Sequence, residues 1–331
     1  MSSHLQPRRS WEFRPALASD VGGLVALHQR VFDRTISREH WIWKLGARGP
    51  GANVWIAEKG GRPIFQYAGI PVRFRHFGSD CWAMIDVDTM TDPDFRRQGL
   101  LTQGAAKAYA DWKNVGFAFS VGLPNEQWGS RAAALGWARV GILRWWVRWL
   151  DPVRMIAARL ALPWAKAPRT SAGDRDHGFD TAPVLQSEQI GELWNLIEQD
   201  GVVRDSSWFR WRYLGGVPKW NVVGAWQSGR LAGAAAFHLD GNRECLSGII
   251  GEVVGTRFQG LRVLLRRCCN DLRALGAVRV AMLIHPGTRL EEAALATGFL
   301  PRRASFSVEA VDLGGGLPLT AHFQGGDFDT V

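Results

Sequence analysis

Hydrophobic positions along the chain switch between two periods, and the switches mark its elements. Phe13-Arg14-Pro15 is strand-like, and from there to Phe32 the apolar positions Leu24, Leu27 and Val31, with His28, recur at helical spacing behind Ser19 or Asp20 as N-cap. Asn53-Val54-Trp55-Ile56-Ala57 is an apolar strand, Gly60-Gly61 a turn, and Ile64 to Phe74 a second strand, which together read as a hairpin. Trp82 to Thr89 is a third strand, Leu100 to about Asn114 a helix without proline, and Val115 to Val121 the next strand. Arg131 to Leu135 is a short helix ended by Gly136, and Val140 to Leu150 is a closing strand with Trp145, Val147 and Trp149 on one face. This interleaving of strands and helices reads as a mixed α/β unit.

The second half repeats the first in outline. Trp41-Ile42-Trp43-Lys44-Leu45 is echoed by Trp208 to Leu214, Gly61-Arg62-Pro63 by Gly229-Arg230-Leu231, Gln98-Gly99-Leu100 by Gln259-Gly260-Leu261, and Leu135-Gly136-Trp137 by Thr297-Gly298-Phe299. Four echoes in the same order predict duplication. Between the halves, Asp151-Pro152 starts a helix, Pro163 and Pro168 stop it, and Lys166 to Gly178 is small and polar, a linker composition. The expected organisation is a first domain over 11–150, a linker helix and polar linker over 151–180, a second domain over 181–313 and a loose glycine-led tail over 314–331.

The 331 residues favour two domains, and 46% hydrophobic with 21% charged residues describes a globular chain able to build real cores. No apolar run approaches the ~18–20 residues that span a bilayer, and the basic start at Met1 to Arg9 has no apolar stretch behind it, so a cytoplasmic protein is expected. Cys81, Cys245, Cys268 and Cys269 are scattered, which predicts reduced thiols and neither a disulfide framework nor a metal site. A net charge of +9 suits an anionic ligand, nucleic acid or an anionic membrane face, but no nucleic-acid module is visible. The seventeen tryptophans are read as packing residues. No Gly-x-Ser-x-Gly elbow supports serine hydrolysis, and His285-Pro286 is a lone histidine at a strand end.

The chemistry concentrates where the third strand meets the proline-free helix. Met84 to Asp88 runs through Asp92-Pro93 into Arg96-Arg97-Gln98-Gly99-Leu100-Leu101-Thr102. A basic, glycine-bearing loop that opens a helix points free backbone N–H groups and the positive dipole end at one place, an anion site, and Gly99 admits a phosphate without a Cβ in the way. This segment resembles the acyl-CoA loop of the GNAT acyltransferase superfamily, Arg/Gln-x-x-Gly-x-Gly/Ala, at Arg96 and Gly99, and departs from it at Leu101. The resemblance implies tandem GNAT-like domains and acetyl-CoA as co-substrate, held through Arg96, Arg97, Gln98, Gly99, Leu100, Leu101 and Thr102. It implies that Met90 and Thr91 face the thioester with their backbones, and that Asn125 of Leu123-Pro124-Asn125-Glu126 contacts the pantetheine arm. The second loop, Arg257 to Arg262, lacks the Asp-Pro turn and places Arg262 where phosphate approaches, so it is expected not to bind cofactor.

For proton transfer, Asp86 and Asp88 lie two apart on a strand, which puts both carboxylates on one side and lets them raise one another's pKa; Asp88, nearer the strand end, is the expected base. The tyrosine acid usual in the superfamily is absent from Arg131-Ala132-Ala133-Ala134, leaving Glu126, Ser130 or a water. The expected activity is N-acetylation of a primary amine, an amino sugar or related small molecule, by a chain of unassigned oligomeric state. A Fem-type aminoacyl transferase and a non-catalytic acyl-CoA-binding protein are the rivals. Trp and Arg residues between 143 and 169, with an apolar helix face after Pro152, leave two readings open: packing between domains or peripheral contact with an anionic membrane.

Overall fold

The computed structural model describes residues 11–125, 128–152, 178–184, 188–216, 218–241 and 246–328. The chain folds as two compact units. The first holds the described residues up to Arg73 with Cys81–Ala138 and Glu309–Leu317; the second holds Phe74–Asp80, Arg139–Val308 and the residues from Pro318 onward. The architecture is mixed α/β, and both units contain parallel and antiparallel strand pairs.

In unit 1, β1 (Glu12–Pro15) pairs antiparallel with β2 (Val54–Lys59), and β2 forms the expected hairpin with β3 (Arg62–His76). β4 (Ser79–Thr91) lies parallel to β5 (Phe117–Gly122), joined through α3 (Leu100–Asn114). Helices α1 (Val21–Phe32) and α2 (Arg38–Leu45) precede the hairpin, and α4 (Gly129–Ala134) follows β5. The α3 face made by Leu100, Ala105, Ala108 and Trp112 is buried in one core with Phe65, Tyr67 and Phe117, as the 3.6-residue period requires.

Unit 2 contains β6 (Ala138–Trp149), β7 (Asp180–Pro183), α5 (Glu188–Trp194), β8 (Gly201–Val202) and α6 (Ser206–Phe209), which widens into a π turn over Arg210–Leu214. Then follow β9 (Asn221–Gln227), β10 (Arg230–Asp240), β11 (Ser247–Gly255), α7 (Phe258–Ala274), β12 (Arg279–Ile284), α8 (Arg289–Ala296) and β13 (Leu300–Asp312). The order hairpin, strand, helix, parallel strand, short helix, strand is that of β2 to β6, and α2 and α6 sit at the two halves of the tryptophan-rich echo.

Two expectations change. The strand expected to close the first domain by residue 150 pairs instead with β12, Trp149 opposite Arg279 through Arg144 opposite Ile284. The edge of β5 is taken by the end of β13, Glu309 opposite Gly122. The compact units therefore do not divide at 150, because an alternating pattern specifies a strand and its faces but not its ladder partner. The second change is the tail expected to be loose after residue 314. Gly314 and Gly316 donate backbone N–H bonds to Asp312, and Asp327 is buried in an ion pair with Arg204. Glycine content signals backbone freedom but not the contacts that remove it.

Gly104 sits where α3 crosses β3, and a Cβ there would overlap the buried Phe65 ring. Alanine normally stabilises a helix interior relative to glycine, but here the added methyl overpacks a closed core. Gly104→Ala is expected to lower unfolding stability by about 1–3 kcal/mol in urea melts.

Candidate active site

The site grows from a parallel pair that separates. The β4–β5 ladder ends at Ile85 opposite Val121, whereas β4 continues for six residues to Thr91. Midway along that free stretch Asp88 adopts a left-handed backbone with φ 46°, a conformation that costs a non-glycine residue about 1–2 kcal/mol and that Asp tolerates better than most. Gln66, fully buried, holds it by donating to the Asp88 carbonyl at 2.9 Å while accepting from Trp41 at 3.4 Å.

β4 then turns at Asp92, whose carboxylate accepts the Asp94 N–H at 3.2 Å and is met by Arg30 at 3.1 Å and Arg62 at 3.5 Å. The loop behind it is braced by Arg96 to the Thr91 carbonyl and Gln98 to the Asp94 carbonyl, both at 3.3 Å. Arg97 (φ 60°) and Gly99 (φ 82°) are both left-handed, and Gly99 is the N-cap of α3. Without a capping side chain, the first-turn N–H groups of α3 lack intrahelical partners, so the dipole and those donors favour an anion.

A cleft of about 880 Å³ opens here. Thr91, Arg96, Arg97, Gly99, Leu100, Leu101, Thr102 and Asn125 line it, a grouping of eight of the residues singled out in the sequence. Thr89, Phe95, Trp128, Arg131 and, from the end of α1, Val31 and Phe32 complete the wall. None of those six was a candidate site residue in the sequence. Met90 is buried below the surface, Gln98 is turned back on its own loop, and Glu126 lies outside the described residues. The residues after Pro152 that raised the membrane reading also lie outside them, through residue 177.

Asp86 and Asp88 do not act as the expected pair. Tyr67 and Ser120 both donate hydroxyl bonds to Asp86, and Tyr67 meets Tyr109 at 2.6 Å, which in turn accepts from Trp137 at 2.7 Å. Asp88 instead pairs with the buried ammonium of Lys44 at 2.7 Å. The left-handed turn at Asp88 separates the two acids, sending Asp86 to the Tyr67 face of β3 and Asp88 to the Gln66 face. The Asp86 carboxyl is pushed up to about 7 by burial, against the opposing pull of the Ser120 and Tyr67 hydroxyls, and not by a neighbouring carboxylate. Burial, then the Asp86 charge, raises the Tyr67 and Tyr109 phenols. Trp137 packs at a tilt against the cleft residue Trp128 at 5.8 Å between centroids, so this network backs the cleft wall. Tyr109 comes from α3, where no sequence motif marks it.

The second loop is built differently. α7 starts at Phe258, so Gly260 is the third residue of the helix and is buried there, while Arg262 donates to Gln259 at 2.9 Å. The free loop that precedes Gly99 has no counterpart. Among the described residues no group of three or more His, Cys, Asp or Glu side chains is arranged to hold a metal ion.

A mixed sheet whose parallel strands part beside a basic loop and a helix N-terminus forms a cleft suited to an anionic ligand. Residues 12–139 match the family model described as acetyltransferase (GNAT) domain. No curated protein matches the sequence. Among solved structures, a GCN5-related N-acetyltransferase from Anabaena variabilis is similar at 11% identity, with a TM-score of 0.67, covering 92% of this chain and 73% of the other. A conserved protein of unknown function from Enterococcus faecalis, described as a probable N-acyltransferase, gives the same values. Eis1 from Mycobacterium abscessus gives 12% identity and a TM-score of 0.59, over 92% of this chain and 74% of that one. At these identities the likeness is one of fold.

The raised Asp86 carboxyl has a measurable consequence. Its folded-state value lies above its unfolded one, so the folded protein holds more protons between about pH 4 and 7, and stability falls as pH rises through that window. Asp86→Asn, which keeps the shape and cannot ionise, is expected to flatten that part of the thermal stability–pH curve relative to the unmodified protein. Parallel curves would show that Asp86 does not titrate there.

Proposed function

We propose that this chain is an acetyl-CoA-dependent N-acetyltransferase, with unit 1 as the cofactor-binding half of a tandem pair of GNAT-like domains. The observation that carries the reading is the cleft at the parting of β4 and β5, rimmed by Arg96, Arg97 and the uncapped start of α3. The family match over 12–139 supports it independently. The left-handed Gly99 is compatible with a phosphate group because it carries no Cβ of its own, and the nearest side-chain atom to that position is the Gln103 Nε2 donor. Acetyl-CoA supplies an activated acyl carbon; the residues must bind its anionic end, present backbone donors to the developing oxyanion and move a proton.

In this reading Arg96, Arg97 and the N–H groups of α3 take the pyrophosphate. The free β4 backbone at Met90 and Thr91 lies along the acyl arm, and Asn125 contacts it from beyond β5. Asp88 accepts the proton of the incoming amine, with Lys44 and Gln66 fixing its position. The acceptor class is a primary amine on a small molecule, amino sugars first. The N-acyl chemistry named for the Anabaena and Enterococcus structures supports an amine over an alcohol.

Acetyl-CoA at ~100 times its dissociation constant is expected to raise stability by about 2.7 kcal/mol in thermal shift measurements. Gly99→Glu, which places a carboxylate at the phosphate position, is expected to abolish the shift while the unliganded protein still melts cooperatively. An unchanged melting temperature in the unmodified protein would refute the cofactor assignment.

Asp88→Asn is expected to lower turnover on an amine panel by ~10²–10⁴-fold, with little change in acetyl-CoA affinity and the smallest loss at high pH, where free amine is abundant. Turnover unchanged at neutral pH would remove Asp88 from the mechanism.

A further inference from the structure

Within unit 2, β11 and β12 repeat the parting of β4 and β5. Their parallel ladder ends at Ile250 opposite Met282, yet β11 runs on to Gly255 and β12 to Ile284. Here the opening has an occupant from the chain itself. The Gln324 carboxamide accepts the Val253 N–H at 2.8 Å and donates to the Val253 carbonyl at 2.9 Å, and the Gln324 backbone makes an antiparallel bridge to Ile284. One residue thus serves both parted strands, its side chain on β11 and its main chain on β12.

The segment carrying Gln324 is fastened on both sides. Before it, Thr320 donates to the Asp200 carboxylate at 2.8 Å and the His322 N–H to the Asp200 carbonyl at 3.0 Å. After it, the fully buried Arg204 holds Asp327 through two contacts at 2.7 and 2.9 Å and Glu252 at 2.8 Å, and Arg212 donates to the Gly326 and Phe328 carbonyls at 3.0 and 2.7 Å. Gly326 passes so close to the Tyr213 hydroxyl that a Cβ would overlap it. A pocket of about 510 Å³ remains beside the segment, with the His285 and His322 rings in tilted contact at 5.2 Å in its wall.

We propose that residues 318–328 are a built-in occupant of the unit 2 opening, with the Gln324 carboxamide standing where an extended ligand's amide would pair with the strand, so that unit 2 takes no acyl-CoA. The exclusion rests on the assignment of the unit 1 cleft to acyl-CoA; the seat itself does not. Backbone donors and acceptors at a strand parting cost about 1–3 kcal/mol each when buried unpaired, so the opening selects an occupant with both functions at amide spacing. A tethered occupant acts at an effective concentration in the millimolar range or above, and a free ligand of ordinary affinity loses that competition. The early start of α7 removes the phosphate loop that would redress the balance.

Two measurements on the full chain test this. In amide hydrogen exchange, Gln324→Ala and the near-isosteric Gln324→Glu, which retains an acceptor for Val253 N–H but loses the donor, are both expected to speed exchange at 250–256 and 320–327 by tenfold or more. Exchange at 82–91 and 100–114 should stay unchanged, a control for folding. Exchange at the wild-type rate in both variants would overturn the seat. In calorimetric titration with acetyl-CoA, one site per chain, lost in Gly99→Glu, is the expected result. Two sites, or one that survives Gly99→Glu, would overturn the exclusion. No binding at all would count against the unit 1 assignment and with it the exclusion, while the exchange result still decides the seat.

Discussion

Everything in this protein turns on parallel strands that stop pairing before they end. A parallel ladder satisfies each backbone donor and acceptor only while the strands stay at hydrogen-bonding distance, and buried groups beyond the parting need another partner. Unit 1 parts after Ile85 and Val121 and surrounds the gap with a basic loop, a helix N-terminus and a cleft. Unit 2 parts after Ile250 and Met282 and fills the gap with Gln324. The same geometry thus leaves an open cleft in one half of the chain and makes a packing joint in the other.

What separates the two outcomes is the stretch between the parted strand and the following helix. In unit 1, Asp92 caps a short turn, Arg97 and Gly99 take left-handed conformations, and α3 begins only after them. In unit 2 the helix begins at Phe258 directly after an extended Arg257 and takes Gly260 into its first turn, where it is buried, so no loop with left-handed residues stands before the helix. Both motifs read Gln-Gly-Leu in one dimension; the position of the helix start gives them different chemistry.

The acidic residues of the site follow a related logic. Asp92 is met by two arginines and Asp88 by a lysine, each a charge answered by charge. Asp86 is met by hydroxyls alone, and that difference is why burial raises it. Its network of Tyr67, Tyr109 and Trp137 backs the cleft wall at Trp128, so a group with no place on the wall still bears on its shape.

The amino-acid sequence alone determined most elements of the first half and the glycine-bearing loop before α3. The hairpin at 54–76, the α3 helix, the order of elements up to β5 and the loop of Arg96, Arg97 and Gly99 followed from local periodicity, turn residues and one glycine at a helix start, which depend on near neighbours, whereas Asn125 was singled out only through the resemblance to the GNAT superfamily. Only the tertiary structure decided the rest. That β6 pairs with β12 and β13 with β5, that a glycine-led tail is fastened to Arg204 and Val253, that Tyr109 joins Asp86, and that Val31 and Phe32 line the cleft depend on residues far apart in the chain. A strand's alternation records which side is buried and leaves the partner open. The separation of Asp86 from Asp88 came from a single left-handed residue held by Gln66 and Lys44, 22 and 44 positions away, and no pattern of period two could register it.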